Sequence, residues 1–139
     1  MGINQNIKVA VDAVVFSIID NQKQILLIER KHKAGENSWA LPGGFIEDNE
    51  TPLQAVSREL EEETGIIITH FKQLHAFGAV NRDPRFRVIS IAHVATTDKR
   101  KHTLKANSDA KEARWFDIDK SPNLAFDHKE IVEMAVEQL

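Results

Sequence analysis

Residues 44–66, which read GFIEDNETPLQAVSRELEEETGI, constrain the fold of this chain more than any other stretch. Thr51 is a good N-cap for a helix, Pro52 suits the first helical position, and Gln54 completes a T-x-x-Q capping box. Gly65 suits the position just past the last turn. Together these signals predict one helix of about twelve residues, close to the usual globular length.

Four glutamates crowd the end of this predicted helix: Glu59, Glu61, Glu62 and Glu63. They repel one another and face the negative end of the helix dipole, so a chain selected for stability alone would avoid them. Glu59, Glu62 and Glu63 share one face, because they stand at i, i+3 and i+4, whereas Glu61 points elsewhere. This face suits Mg²⁺, which prefers oxygen ligands and often lies between carboxylates and phosphates. The alternative is a solvated acidic helix without a ligand.

The other sides of this helix carry apolar residues. Leu53, Val56 and Leu60 share one stripe, which predicts that this side packs against a core. Ala55 falls within the acidic face one turn earlier, where a small side chain would leave room for a ligand.

The turn before the helix adds further candidate groups. Residues 41–44 read LPGG, and two glycines allow a close approach of the backbone and positive φ angles. A carbonyl group there could therefore join the carboxylates as a metal ligand. Glu50 and Arg58 lie near the two ends of the loop–helix unit, where an arginine–carboxylate pair could clamp the loop onto the helix.

The whole stretch resembles the Nudix box, G-x5-E-x7-R-E-U-x-E-E-x-G-U with U aliphatic, and matches it at every fixed position. The matching residues are Gly44, Glu50, Arg58, Glu59, Leu60, Glu62, Glu63, Gly65 and Ile66. The resemblance implies a pyrophosphohydrolase that uses Mg²⁺, with Mn²⁺ as an alternative, on a nucleoside diphosphate linked to another group. It also implies that the metal is held by Glu59, Glu62, Glu63 and the carbonyl of Gly43. The Glu50–Arg58 pair would orient these ligands.

Length and composition limit the remaining possibilities. A chain of 139 residues with 42% apolar and 28% charged residues predicts one soluble domain over residues 1–139. A net charge of −3 gives no general reason to bind nucleic acid or an anionic membrane. The absence of cysteine excludes disulfides and thiol catalysis, and it fits a cytoplasmic protein.

Residue patterns along the chain predict a sheet and a second helix. Strand-like runs cover residues 8–19, 24–29, 66–68, 71–80, 88–96 and 114–118. Polar loops are predicted at residues 31–38, 81–87 and 98–110. Asp127 is the predicted cap of a final helix that runs towards Leu139, with Glu130 at its third position. Its inward side would carry Ile131, Met134, Ala135 and Gln138. Strands with two separated helices predict an α/β or α+β sandwich, and the resemblance narrows this to an α/β/α sandwich with a mixed central sheet.

Residues 81–87, NRDPRFR, form a second group of interest because they contain Arg82, Arg85 and Arg87. Arginine side chains suit phosphates and stack on adenine, although a solvated basic hairpin tip is the alternative. Phe45 could stack on a base beside the glycine turn, and Trp39 is either a second stacking residue or part of the core.

The strings FGAVNRDPRFRVIS, ARWFDI and LAFDH are similar to the ADP-ribose pyrophosphatase branch of the Nudix family. This similarity implies hydrolysis of ADP-ribose to AMP and ribose 5-phosphate, and a homodimer. In the family a carboxylate from a late loop often activates water, and Glu112 is the predicted counterpart.

Two other functions stay open at this stage. The enzyme could act on another nucleoside diphosphate derivative or a noncanonical nucleoside triphosphate. The chain could also be a non-catalytic nucleotide sensor, like the Nudix-like domains fused to winged helices in regulators of NAD metabolism. The intact box argues against the sensor, and the residues after Ile66 are expected to complete the domain without room for a winged helix.

Overall fold

The computed structural model describes residues 2–31, 39–106 and 110–139. Its strands are β1 (Lys8–Ile19), β2 (Gln22–Arg30), β3 (Trp39–Ala40), β4 (Gly43–Phe45), β5 (Lys72–Phe77), β6 (Val88–Thr97) and β7 (Ala110–Asp117). Its helices are α1 (Pro52–Thr64) and α2 (His128–Val136), with short 3-10 turns at Lys99–Lys101 and Ile118–Lys120. Neither α-helix in the described ranges is long and apolar enough to cross a membrane.

The seven strands form one mixed sheet around β1. The main order is β3-β2-β1-β6-β5, while β4 pairs with β1 and β7 pairs with β2. The β1–β6 pair is parallel and the other pairs are antiparallel. Asp20 and Asn21, both with positive φ, make the tight turn between β1 and β2. This turn lets β2 begin at Gln22, two residues earlier than the sequence predicts.

One helix covers each face of the sheet. On the first face, α1 packs Val56 and Leu60 against Val11 and Val15 of β1. On the opposite face, the α2 residues Ile131 and Ala135 lie in a cluster with Val14 and Phe16 of the same strand. Alternate side chains of β1 point to opposite faces of the sheet, and a helix packs on each face. The predicted α/β/α sandwich with a mixed sheet is therefore confirmed.

Helix α1 has the predicted ends but a slightly different buried side. The Thr51–Gln54 capping box is present, and Gly65 ends the helix with φ +79°. Leu53 is 43% exposed, so its predicted place on the apolar stripe is wrong. Ala55 is fully buried in the core instead of leaving room for a ligand.

Three strand assignments differ from the predictions. The hydrogen-bond partners available in the folded chain determine where each strand begins and ends. Residues 66–68 form no strand, although Ile66 and Ile68 are buried, and the Ile68 carbonyl accepts a hydrogen bond from Ser57 of α1. Strand β5 is shorter than predicted. Strand β7 begins at Ala110 rather than residue 114, because it continues pairing along β2. Parts of two predicted loops, residues 32–38 and 107–109, lie outside the described residues.

The start of α2 is fixed by an ion pair instead of the predicted side-chain cap. Asp127 makes no capping hydrogen bond, and its carboxylate instead accepts two hydrogen bonds from the Arg82 guanidinium, at 2.9 and 2.6 Å. Both side chains are largely buried. On the predicted inward side, Ile131 and Ala135 are buried, but Gln138 is exposed beyond the end of α2. Arg82 therefore joins the loop before β6 to the start of α2.

This ion pair leads to a stability prediction. Arg82→Ala leaves the buried Asp127 carboxylate without its partner, so the free energy of unfolding should fall by about 3–5 kcal/mol in urea titrations. Arg100→Ala is the matched control, because Arg100 makes a similar pair with Asp98 but is 68% exposed, and its free energy of unfolding should change much less, since solvent screens such a pair. Equal losses in the two variants would contradict this role for Arg82.

Candidate active site

A cavity of about 330 Å³ opens where β1, β4, α1, the loop before β6 and the start of α2 meet. The Nudix-box face contributes Gly43, Gly44, Glu59 and Glu63 to its wall. The opposite wall carries Arg82, Asp83, Arg85, Phe126 and His128. The cavity therefore brings together the two groups that the sequence singles out, the acidic helix and the arginine loop.

The three clustered glutamates are exposed to different degrees. Glu63 is buried and accepts a hydrogen bond from the Gly43 N–H at 2.8 Å. The side chain of Glu59 is 15% exposed, whereas that of Glu62 is 46% exposed. Glu59 and Glu63 line the cavity, whereas Glu62 is not among the lining residues and is joined to Glu59 through Arg58.

The glycine turn allows the backbone to lie directly against these carboxylates. A Cβ atom on Gly44 would lie 2.5 Å from the Glu59 carboxylate carbon, and one on Gly43 would overlap the Val11 carbonyl. Among the described glycines only Gly65 has a positive φ, so the positive φ angles that glycine allows do not occur at this turn. The two glycines serve the close approach alone.

Arg58 holds the loop–helix unit together, and the predicted clamp with Glu50 is present. Its guanidinium donates to both Glu50 oxygens, at 2.6 and 2.9 Å, and to the Phe45 carbonyl at 3.1 Å. The same side chain donates to Glu59 at 2.8 Å and to Glu62 at 3.3 Å. One cation therefore contacts the loop before α1 and two of the three clustered glutamates.

These contacts change the titration of the acidic groups. The hydrogen bond from Arg58 lowers the pKa of Glu50. Burial raises the pKa of Glu59, although Arg58 partly offsets this effect. A desolvated carboxylate beside other carboxylates is stabilised by additional positive charge.

The donor set of this face fits a hard divalent cation. Glu59, Glu62 and Glu63 offer carboxylate oxygens beside the Gly43 backbone, and only glycine at position 44 leaves space against Glu59. Within the described ranges, no three acidic or histidine side chains already converge as metal ligands. Arg58 supplies the positive charge to Glu59 and Glu62 in this arrangement.

The three arginines of the second group have different environments. Arg82 is almost fully buried, and its guanidinium forms an ion pair with Asp127. Arg85 is 44% exposed, pairs with Asp83 at 2.9 Å, and lies 5.0 Å from the Phe86 ring centre. Arg87 is not part of the cavity wall. Only Arg85 of the three combines exposure with a place in the cavity.

The remaining predicted residues are also separated by the structure. Phe45 lines the cavity and lies 5.8 Å from Phe86, between ring centres. Trp39 packs edge-on against Phe116 and belongs to the core. Glu112 lies on β7 and is hydrogen-bonded to Arg114 at 2.6 Å, outside the cavity wall.

A buried polar network in the wall of the cavity was not predicted. Asp12 accepts a hydrogen bond from Ser90 and lies 3.4 Å from Nε2 of His128. The Leu41 N–H donates to Nδ1 of His128 at 3.0 Å. Burial lowers the pKa of His128, which favours the neutral imidazole. The one sequence signal was Asp12 itself, a charge that interrupts an otherwise apolar run in β1.

Sequence comparison places this chain among known proteins. The family model for the NUDIX domain matches residues 8–135. The ADP-ribose pyrophosphatase of Methanocaldococcus jannaschii is 46% identical over 125 residues, which cover 90% of this chain and 70% of that protein. The ADPR responsive transcriptional repressor NtrR of Acinetobacter baylyi is 30% identical over 133 residues, which cover 93% of this chain and 53% of the repressor.

Solved structures agree with the sequence comparison. The NUDIX domain of Shewanella oneidensis NrtR, in complex with ADP ribose, matches with a TM-score of 0.87 and 29% identity, over 97% of this chain and 90% of that chain. A MutT/nudix family protein from Enterococcus faecalis matches with a TM-score of 0.89 and 33% identity, over 99% of this chain and 64% of that chain. The complete box, the sandwich fold and these matches show that the chain belongs to the Nudix family.

Proposed function

We propose that this protein is a divalent-metal-dependent pyrophosphohydrolase that converts ADP-ribose to AMP and ribose 5-phosphate. The observation that carries the proposal is the shared cavity, in which Glu59 and Glu63 of the complete motif face the exposed Arg85. The 46% identity to an archaeal ADP-ribose pyrophosphatase supports this substrate. The likeness to a NUDIX domain crystallised with ADP ribose supports the same ligand class.

The two sides of the cavity would do different work. Oxygen atoms of Glu59, Glu62, Glu63 and the Gly43 backbone would hold Mg²⁺ or Mn²⁺. When bound, such ions neutralise pyrophosphate charge and make a bound water more acidic. Water would add across one P–O bond of the pyrophosphate, with the bridging oxygen leaving on the other phosphate.

The chain's own residues would then orient the ligands and the substrate. Arg58 holds Glu59 and Glu62 against the loop that carries Glu50, so the helix and the loop keep one geometry. Arg85 and Phe45 would contact the substrate from the cavity wall. We assign Arg82 a structural role, and we leave Arg87 and Glu112 out of the proposed site because neither lines the cavity. Glu62 also lies outside the lining, but it stays in the proposed site because Arg58 joins it to Glu59.

A nucleotide sensor is the second candidate function, and the 30% identity to an ADPR responsive repressor favours it specifically. The acidic face argues for catalysis, because binding of ADP-ribose alone needs no cluster of repelling carboxylates. We also propose a cytoplasmic homodimer that binds neither nucleic acid nor membranes, in keeping with the composition and the family branch.

Product formation separates the two functions. The purified protein with Mg²⁺ and ADP-ribose should release AMP, detected by chromatography, and EDTA should abolish turnover until Mg²⁺ or Mn²⁺ is restored. A panel with other nucleoside diphosphate derivatives and noncanonical nucleoside triphosphates would rank the substrates. Saturable ADP-ribose binding without AMP would instead support the sensor.

The acidic face gives a paired prediction. Glu62→Gln removes one charge with little change in shape, so kcat should fall about 100-fold or more. Glu61→Gln is the matched control, since Glu61 is an exposed neighbour outside the acidic face, and it should retain the wild-type kcat. Thermal melting in metal-free buffer should show that both variants fold. The assignment of faces fails if Glu61→Gln is the inactive variant.

The arginine loop gives a binding prediction. Arg85→Ala removes a charged contact with the substrate, which is worth about 1.5–3 kcal/mol, so KM for ADP-ribose should rise roughly 10- to 150-fold. The value of kcat should change less, because the contact exists in both ground and transition states. Arg100→Ala removes the same kind of i, i+2 aspartate pair outside the cavity wall and should leave KM unchanged. An unchanged KM in Arg85→Ala would contradict substrate binding by Arg85 and would support the alternative that this loop is a solvated hairpin tip.

A further inference from the structure

The Leu41–Gly43 turn is held from two sides. On one side the Ala13 N–H donates to the Pro42 carbonyl at 2.8 Å, just beyond the last paired residues of β1 and β4. On the other side the Leu41 N–H donates to the His128 side chain at 3.0 Å. The first contact is ordinary backbone pairing, whereas the second comes from a residue far along the chain at the start of α2.

The polar contacts of His128 use both nitrogens of its ring. His128 is buried, and its Nδ1 accepts a hydrogen bond, so its proton must be on Nε2 when the ring is neutral. Nε2 lies 3.4 Å from the buried Asp12 carboxylate, which favours that tautomer. Asp12 is in turn bonded to Ser90 of β6. The Asp12 carboxylate therefore orients the imidazole, which in turn accepts the hydrogen bond from the Leu41 N–H.

The backbone just before α2 places the His128 side chain beside the Leu41 N–H. Phe126 has φ +53°, a left-handed conformation that residues other than glycine rarely adopt. The Ala125 N–H donates to the Trp39 carbonyl at 2.9 Å, and the His128 N–H donates to the Ala125 carbonyl at 3.1 Å. Strained backbone of this kind persists where surrounding contacts fix it, and such positions cluster at functional sites.

We propose that His128 is a positioning residue for the proposed metal site. The hydrogen bond that its Nδ1 accepts from the Leu41 N–H fixes the turn in which the Gly43 N–H contacts Glu63. This inference rests on the proposed function, since Gly43 and Glu63 are the ligands that it places. The contacts run from Asp12 through His128 to Leu41, and from Gly43 to Glu63. Groups that orient metal ligands in this way affect metal affinity without touching the metal.

Mn²⁺ binding in the absence of substrate measures this positioning directly. His128→Leu keeps the bulk and removes the acceptor, so the Kd for Mn²⁺, measured by electron paramagnetic resonance, should rise about 10- to 100-fold. His128→Asn places an amide oxygen near the position of Nδ1 and should restore most of the affinity. Ile131→Val is the matched control, because Ile131 is a fully buried residue of α2 outside the cavity wall, and it should lower Tm without changing the Kd.

Equal Mn²⁺ affinity in wild type and His128→Leu would overturn the inference while leaving the proposed function intact. An equal loss in Ile131→Val would also overturn it, because the effect would then be one of core packing. Failure of wild type to bind Mn²⁺ would overturn both the metal-dependent function and this inference.

The wild-type protein provides a test that does not depend on whether variants fold. Long-range ¹H–¹⁵N correlation spectra at neutral pH should show His128 as the Nε2–H tautomer. Added Mg²⁺ should shift both the His128 ring and the Leu41 amide signals. A ring protonated on Nδ1 would exclude the Leu41 contact and refute the proposal.

Discussion

The arrangement of the site depends on the hydrogen bonds and ion pairs that Arg58 makes. Carboxylates at the end of a helix repel one another and oppose its dipole, and Glu59 is also partly desolvated. Arg58 contacts two of these glutamates while its remaining donors hold Glu50 and the Phe45 carbonyl. A single cation thus stabilises an acidic face that would otherwise be unfavourable and joins that face to the loop carrying the glycine turn.

Local sequence signals predicted much of this arrangement. The capping box of Thr51, the stop at Gly65 and the Glu50–Arg58 pair all depend on residues close in the sequence. The alternation in β1 likewise predicted a strand, and two separated helices predicted the sandwich. Helix spacing also predicted an acidic face suited to a metal, and the Nudix resemblance added the predicted role of Gly43 and the substrate class, which periodicity alone does not give.

Interactions between distant segments could not be predicted in the same way. Arg82 and Arg85 look equivalent in the string NRDPRFR, yet one is buried against Asp127 and the other is exposed beside Asp83. Only the packing of α2 against the loop before β6 separates them. The early start of β7 and the loss of a strand at residues 66–68 have the same cause, because partners on β2 and α1 decide where pairing occurs.

The cavity combines two parts that differ in how much the fold depends on them. The wall from the arginine loop and α2 is built on buried pairs, Arg82 with Asp127 and Asp12 with His128, so it is tied to the stability of the sandwich. The Glu59 carboxylate lies at the other wall of the cavity, and the Glu62 carboxylate, which shares Arg58 with it, is 46% exposed. Substitutions in the buried pairs should therefore cost more stability than substitutions of the Glu62 carboxylate. The chain resembles both an ADP-ribose pyrophosphatase and an ADPR responsive repressor, and under the proposed function the acidic face is the part of the site in which an enzyme and a sensor would differ.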